Sequence, residues 1–207
     1  MVTRFRMPSG YACTRRITTL TPADASSPIL LVAATDAELC GLDGLVCGVG
    51  PVEAAAATGR ALALRSFGAV LHLGLAGARG IAPGSLVVGT EAVYCDLSAR
   101  WPVVDRVTPD PRLVEALRSV LPDALAMPIH TSAAVGAAGD VASQPVLVEA
   151  MEGFGVLRAA ALARVSAVEV RAISNELGEA DRSRWDVSGA LSELERALPA
   201  MTSAVRS

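Results

Sequence analysis

A chain of 207 residues fits one domain with a substantial core, and at 52 % hydrophobic but only 3 % aromatic residues that core is built from Ala, Val and Leu. Such a composition suits helices packed closely on a sheet and argues against a β-sandwich. A formal charge of −3 with no basic stripe argues against nucleic acid as a partner, and no apolar run approaches the ~20 residues that span a bilayer.

The first 28 residues are polar and irregular, carry Arg4, Arg6, Arg15 and Arg16, and contain no continuous apolar stretch ahead of a cleavage site. They read as a disordered leader, not a signal peptide, with residues 29–207 as the domain proper. Ile29 to Ala34 is a short apolar run, the mark of a strand covered on both faces. Leu45 to Val49 is a second strand, and Pro51 opens an Ala-rich helix over Val52 to Arg65. Ala69 to Leu73 is a strand that ends in the glycine-rich turn Gly74-Leu75-Ala76-Gly77-Ala78-Arg79-Gly80. Ser85–Val88 and Ala92–Tyr94 extend the sheet across a bend, and Pro111 to Val120 is a helix with proline in its first turn.

Further strands are expected over Ile129–Val135, Val146–Val148 and Val168–Ile173, the last stopping on Ser174 and Asn175. Met151 to Arg164 reads as helical, and a terminal helix over Val187–Leu198 has Asp186 or Ser188 as its cap. Strands alternating with helices predict an α/β fold, a three-layer α/β/α domain around a twisted mixed sheet. No repeat, low-complexity tract or internal linker interrupts it.

Several motifs carry chemistry or only shape. Gly48-Val49-Gly50-Pro51 resembles the start of a dinucleotide fingerprint, but the third glycine is missing, Pro51 intrudes and Glu53 sets negative charge where a pyrophosphate would lie. Together with Gly74–Gly77 it forms a second glycine turn after a buried strand, and two such turns suggest a shared crevice as readily as two simple reversals. Glu38, four residues past Ala34, is either a solvated loop carboxylate or a group that activates water. Glu152 has apolar neighbours, so a buried carboxylate there needs donors, and sugar hydroxyls are suitable ones.

An amide at Asn175 and a carboxylate at Glu152, converging at the carboxyl ends of the strands, could hold a purine by its edge and a ribose by its hydroxyls. His72 alternates with Leu71 and Leu73 and reads as a satisfied core histidine; His130 has no assigned role. Asp181-Arg182-Ser183-Arg184-Trp185 is either a helix-terminal ion-pair network or a flap that closes over substrate. The four cysteines (Cys13, Cys40, Cys47, Cys95) lie too far apart for a CxxC motif, and with two histidines no metal site is expected. Reduced, structural thiols in a cytosolic protein are the simpler reading.

In this order, these segments resemble the nucleosidase branch of the purine nucleoside phosphorylase-like superfamily, and within it the futalosine hydrolase family of the alternative menaquinone pathway. The resemblance runs from Ile29 to Leu198. It matches Gly48–Val52 to an early glycine turn, and Leu75, Ala76 and Gly77 to the purine-side loop. It likewise matches Ala150, Met151 and Glu152 to the ribose segment, and Ser174 and Asn175 to the base-recognition strand. Glu38 falls where the related methylthioadenosine/S-adenosylhomocysteine nucleosidases carry the water-activating glutamate.

What the resemblance implies is hydrolysis of the N-glycosidic bond of a nucleoside, without metal or organic cofactor, by a cytoplasmic homo-oligomer that engages neither membrane nor nucleic acid. Glu38 and Asn175 are then the catalytic residues. Leu75, Ala76, Gly77, Ala150, Met151, Glu152 and Ser174 hold the substrate.

The departures are chemical. The adenine-releasing relatives have Asp in place of Asn175, Glu in place of Ala150 and Ser in place of Leu75, and two more strand segments where this chain has a brief turn before Gly48. Hypoxanthine offers a 6-oxo acceptor, which an amide satisfies and a carboxylate does not. Phosphorylases of the fold carry an arginine-bearing loop after the first strand; Asp36 and Glu38 stand there instead and would repel phosphate. The benzoate of futalosine calls for a cation or a polar clamp, with Arg79, Arg182 and Arg184 as candidates that the sequence does not separate.

Overall fold

The computed structural model describes residues 28–97, 101–134 and 147–206; the expected leader, but for Pro28, lies outside them. Eight strands among the described residues form one mixed sheet. β1 (Ile29–Ala33), β3 (Ala69–Ala78) and β8 (Ser166–Glu176) run parallel side by side, with β2 (Leu45–Val46) on the outer edge. β4 (Leu86–Tyr94) lies antiparallel to β8 and carries β5 (Arg106–Val107) and β6 (Leu125–Thr131). β7 (Val148–Ala150) bridges β6 to the far end of β3, so that β3, β8, β4, β6 and β7 close on themselves.

Period-2 alternation assigns each face to a helical layer. Leu71 and Leu73 of β3 with Val168, Val170 and Ala172 of β8 face α2 (Pro111–Val120) and α4 (Val187–Arg206). Leu30, Val32, Val70 and Ala167 face α1 (Pro51–Leu64) and α3 (Gly153–Ala163). The three layers expected from the alternation of elements are therefore present, and no helix among the described residues is long and apolar enough to cross a membrane.

Helix starts follow the local chemistry. Pro51 and Pro111 sit in the first turns of α1 and α2, and the Asp110 side chain accepts the Arg112 N–H at 2.9 Å. Asp186, not Ser188, caps α4 by accepting the Gly189 N–H at 2.9 Å.

Several boundaries differ from the sequence reading. β3 runs straight through Gly74–Gly77, so that segment is strand and not a turn, and β8 likewise continues through Ser174 and Asn175 to Glu176. Both extensions exist because the two strands pair with each other along their whole length. β2 covers only Leu45–Val46, and α3 begins at Gly153, two residues after Met151. β6 starts at Leu125 and ends at Thr131, with Pro128 at a register slip against β4, where its missing N–H breaks no ladder bond. β7 is Val148–Ala150, displaced from the expected Val146–Val148; Val135 and Val146 lie outside the described residues.

α4 passes Pro199 and ends at Arg206, because its apolar stripe continues into buried Met201, Ala204 and Val205.

α1 and α3 cross closely. A β-carbon on Gly155 would lie 2.4 Å from the Pro51 carbonyl oxygen and 3.1 Å from the Ala55 nitrogen. Those neighbours are backbone and cannot rotate away. Gly155→Ala would gain ~1 kcal/mol of helix propensity but force the helices apart at up to ~3 kcal/mol. We expect a net loss of about 1–2 kcal/mol from these two terms, read from urea unfolding; an unchanged or raised midpoint would show that the crossing can open without cost.

Candidate active site

The carboxyl ends of β1, β3 and β8 meet over a polar patch buried beneath α3. Its centre is Arg171, which has no solvent exposure. Its Nε–H donates to Glu169 Oε1 at 2.7 Å, and Nη1 lies 3.3 Å from Glu152 Oε2 and donates to the Leu75 carbonyl at 3.3 Å. Nη2–H donates to Nε2 of His72, whose Nδ1–H donates to the Val32 carbonyl at 2.9 Å. Burial alone pushes the Arg171 guanidinium toward the neutral form, but the carboxylates of Glu169, Glu152 and Glu38 outweigh it and hold the charge. Burial raises the carboxyl of Glu169 above its ordinary range, with Arg171 opposing. Burial and then the neighbouring guanidinium hold His72 well below the usual imidazole range, so the ring is neutral.

Glycines make room for these groups. A β-carbon on Gly74 would lie 2.1 Å from Arg171 Nη1 and 2.9 Å from Glu38 Oε1, and one on Gly153 would lie 2.2 Å from Glu169 Oε2. The small residues of Gly74–Gly77 serve the side chains of a neighbouring strand, not a reversal of the chain.

Above this patch opens a cleft of about 410 Å³. All nine residues singled out in the sequence line it: Glu38, Leu75, Ala76, Gly77, Ala150, Met151, Glu152, Ser174 and Asn175. Glu38, in a 3-10 turn over Ala37–Leu39, is buried. Its Oε2 accepts from the Thr35 N–H at 2.9 Å and the Thr35 hydroxyl at 2.8 Å, and its Oε1 from the Leu75 N–H at 3.1 Å. Glu152, at the start of α3, accepts the Gly50 N–H at 3.1 Å, so the two glycine segments do serve one crevice.

Asn175 owes its position to an irregularity in the ladder. The register between β3 and β8 slips after Ala76, leaving Ser174 as an extra residue on β8. Asn175 Oδ1 accepts from the Ser174 hydroxyl at 2.7 Å and Nδ2 donates to the Glu176 carbonyl at 3.0 Å, which leaves the amide one N–H and one lone pair unused.

The three arginine candidates separate. Arg182 lines the cleft, whereas Arg79 and Arg184 do not, and Arg184 is ion-paired with Glu179 at 3.0 Å. Sequence reasoning missed the Glu169–Arg171–His72 patch. Its signal was the alternation Val168-Glu169-Val170-Arg171, two charges at period 2 in a strand otherwise apolar on both sides. It also missed buried Glu149 in the cleft wall, which half-buried Trp185 of the charged cluster lines as well. Among the described residues no three His, Cys, Asp or Glu side chains gather as metal ligands. Burial, helped by Glu152, pushes the thiol of Cys47 up to about 12, so it stays protonated.

Residues 44–207 match the family model of the phosphorylase superfamily. A futalosine hydrolase of Streptomyces coelicolor is 37 % identical across 76 % of this chain and 77 % of its own length. One from Acidothermus cellulolyticus is 35 % identical across 78 % and 75 %.

Among solved structures, S-adenosylhomocysteine nucleosidase of Streptococcus pyogenes, in complex with 5-methylthiotubericidin, has a TM-score of 0.75 at 21 % identity, covering 89 % of this chain and 98 % of that one. Futalosine hydrolase of Helicobacter pylori has a TM-score of 0.76 at 16 % identity, covering 86 % and 97 %. At those identities the likeness is one of fold.

The neutral state of His72 sets a pH dependence. Its folded value lies below its ordinary one, and burial shifts His130 in the same direction. Both therefore bind fewer protons folded than unfolded once pH falls below ~6.5. Stability is complete above that pH and declines as pH drops through it, by up to ~1.4 kcal/mol per pH unit for His72. His72→Gln keeps a donor for Val32 and an acceptor for Arg171 but removes that titration. Between pH 7.5 and 5.5 the urea midpoint should fall less steeply in the variant; equal slopes would mean that native His72 takes up a proton.

Proposed function

The chain belongs to the phosphorylase superfamily and, within it, to the futalosine hydrolase family, and from that premise we propose that it hydrolyses the N-glycosidic bond of futalosine to hypoxanthine and dehypoxanthine futalosine in the alternative menaquinone pathway. One observation carries the choice of water over phosphate. The Thr35 N–H, the Thr35 hydroxyl and the Leu75 N–H at the mouth of β1 and β3 all donate to Glu38. A phosphate would need such donors, and it would find them taken by a fixed carboxylate.

In this mechanism Glu38 holds a water and takes its proton as the oxygen bonds to the anomeric carbon. The bond from that carbon to the purine nitrogen breaks, its electron pair leaving with the base, through an oxocarbenium-like centre. Glu152 accepts hydrogen bonds from the ribose hydroxyls. Its carboxylate is oriented for this by Gly50 and Arg171. Met151 covers the sugar face, while Leu75, Ala76, Gly77 and Ala150 leave a flat, small-walled slot for the base. Ser174 fixes the Asn175 amide, whose unused N–H meets the 6-oxo group and whose unused lone pair meets the protonated ring nitrogen.

The same reading includes a cytoplasmic location, supported by free thiols at Cys40, Cys47 and Cys95. It also includes self-association, supported by Val46, Val49 and Val52, which stay exposed beside the cleft. No cofactor enters any step.

Purified protein incubated with futalosine should release free hypoxanthine at a rate indifferent to added phosphate. Formation of a sugar 1-phosphate would overturn the proposal. Glu38→Gln keeps the shape but cannot take a proton, so turnover should fall ~10²–10⁴-fold with KM within about tenfold; a variant keeping a tenth of wild-type kcat would remove Glu38 from the role of base. Asn175→Asp sets acceptor against the 6-oxo group, a mismatch of ~1–3 kcal/mol, but suits a 6-amino group. The ratio of kcat/KM for futalosine over aminofutalosine should fall roughly ten- to hundredfold. An unchanged ratio would mean that Asn175 does not read the base.

A further inference from the structure

Futalosine carries a benzoate, so the cleft must admit an anion. Its walls are poorly suited to that: Glu38, Glu149, Glu152 and Glu179 all line it. Arg182 is the only cationic side chain among the described lining residues. It is exposed at the rim, and no carboxylate among the described residues pairs with it. Its neighbours explain why it stays available. Glu179, three residues before it, accepts the Asp181 N–H at 2.9 Å and is ion-paired with Arg184 at 3.0 Å. Asp181 is occupied in turn by the Ser183 N–H at 3.0 Å and the Ser183 hydroxyl at 2.7 Å.

The rim is also fixed in place. The Trp185 indole N–H donates to the Glu179 carbonyl at 3.0 Å, and the Asp186 N–H donates to the Ser174 carbonyl at 2.8 Å, beside the bulge that aims Asn175. The Arg182 guanidinium carbon lies 5.6 Å from the centroid of the Trp185 ring, which itself lines the cleft. A flat aromatic face and a guanidinium stand next to each other on the same wall. That pairing matches an aryl carboxylate, with the ring on the indole and the carboxylate on the N–H fork.

We propose that Arg182, with Trp185, forms the subsite that recognises the substrate's aryl carboxylate and makes this cleft selective for anionic nucleosides over neutral ones. This rests on the futalosine reading and deepens it. The guanidinium supplies the positive charge of the described cleft lining, so losing it costs more for a charged substrate than for the same substrate without charge. No bond is made or broken at this subsite. Arg182 binds and selects; the chemistry remains at Glu38.

The test compares kcat/KM for futalosine and for its benzoate methyl ester, which keeps the ring and removes the charge. Wild type should prefer the acid at least about tenfold, the value of one charged hydrogen bond. Arg182→Met should lower the acid-to-ester ratio roughly ten- to hundredfold, and Arg182→Lys should retain part of the preference because the charge remains without the fork. Arg118→Met, which removes a cation outside the cleft from an exposed pair with Glu115, should leave the ratio within about twofold.

Wild type cleaving acid and ester equally, or Arg182→Met leaving the ratio unchanged, would overturn the subsite while the hydrolase reading stands. If wild type cleaved neither compound, the hydrolase reading itself would fall, and this subsite with it. Arg182 is exposed, so melting temperatures within about two degrees of wild type are expected for both of its variants.

Discussion

A guanidinium sealed from solvent must be neutralised by the protein around it, and the site is organised by how this chain does so for Arg171. Bringing such a charge into the interior is costly, and removing one of its partners typically costs ~3–5 kcal/mol. Glu169 comes from the same strand, and the other partners from distant stretches of chain: His72 and the Leu75 carbonyl on β3 and Glu152 at the head of α3. Glu152 reaches on to Gly50 at the head of α1, and Gly74 lets Arg171 lie close to Glu38. Glu152 of the cleft wall is thus held by the charge at the centre of the layer beneath, and Glu38 by the donors of Thr35 and Leu75. Their orientation does not wait for a ligand, which is the preorganisation an active site needs.

Glu38 shows how one buried side chain can fill a ready set of donors on a shared scaffold. Loops at the carboxyl ends of parallel strands present N–H groups well suited to anions. Here an internal carboxylate takes up those donors. The site carries its own anion, and under the proposed hydrolytic reading that anion would take the proton of a water and deny the position to phosphate. Chemistry of this kind is decided by a single occupied set of hydrogen bonds, not by the fold.

The layering was legible in the sequence wherever local chemistry governs: Pro51 and Pro111 mark the starts of α1 and α2, and the apolar run from Ile29 marks β1. That the nine candidate residues would share one cleft was legible because they sit beside strand ends, and strand ends are where such sheets bind ligands. What escaped was set by distant partners. Gly74–Gly77 looks like a turn until Arg171 and Asn175 are seen to need the space. Ser174 looks like a terminus until β3 is seen to pair past it. Met201 lies beyond a proline that normally ends a helix, and only the core it fills keeps α4 going. The three arginines differ through the pairing of Glu179, which no spacing rule predicts.

The crowding at Gly74, Gly77 and Gly153 also divides the cleft into two halves with different evolutionary freedom. On the floor, the smallest possible addition, a methyl group, would collide with Arg171, Asn175 or Glu169. Even that smallest step must displace a buried polar side chain. The rim from Leu177 to Leu191 is built largely from exposed side chains on a turn and a helix start, where replacement leaves the core intact. Lineages that diverge from this chain can therefore explore new groups on the far side of the ribose while the bond-breaking end stays frozen. Substrate range should drift along that rim, one side chain at a time, and leave an unchanged glycine floor as the record of common descent.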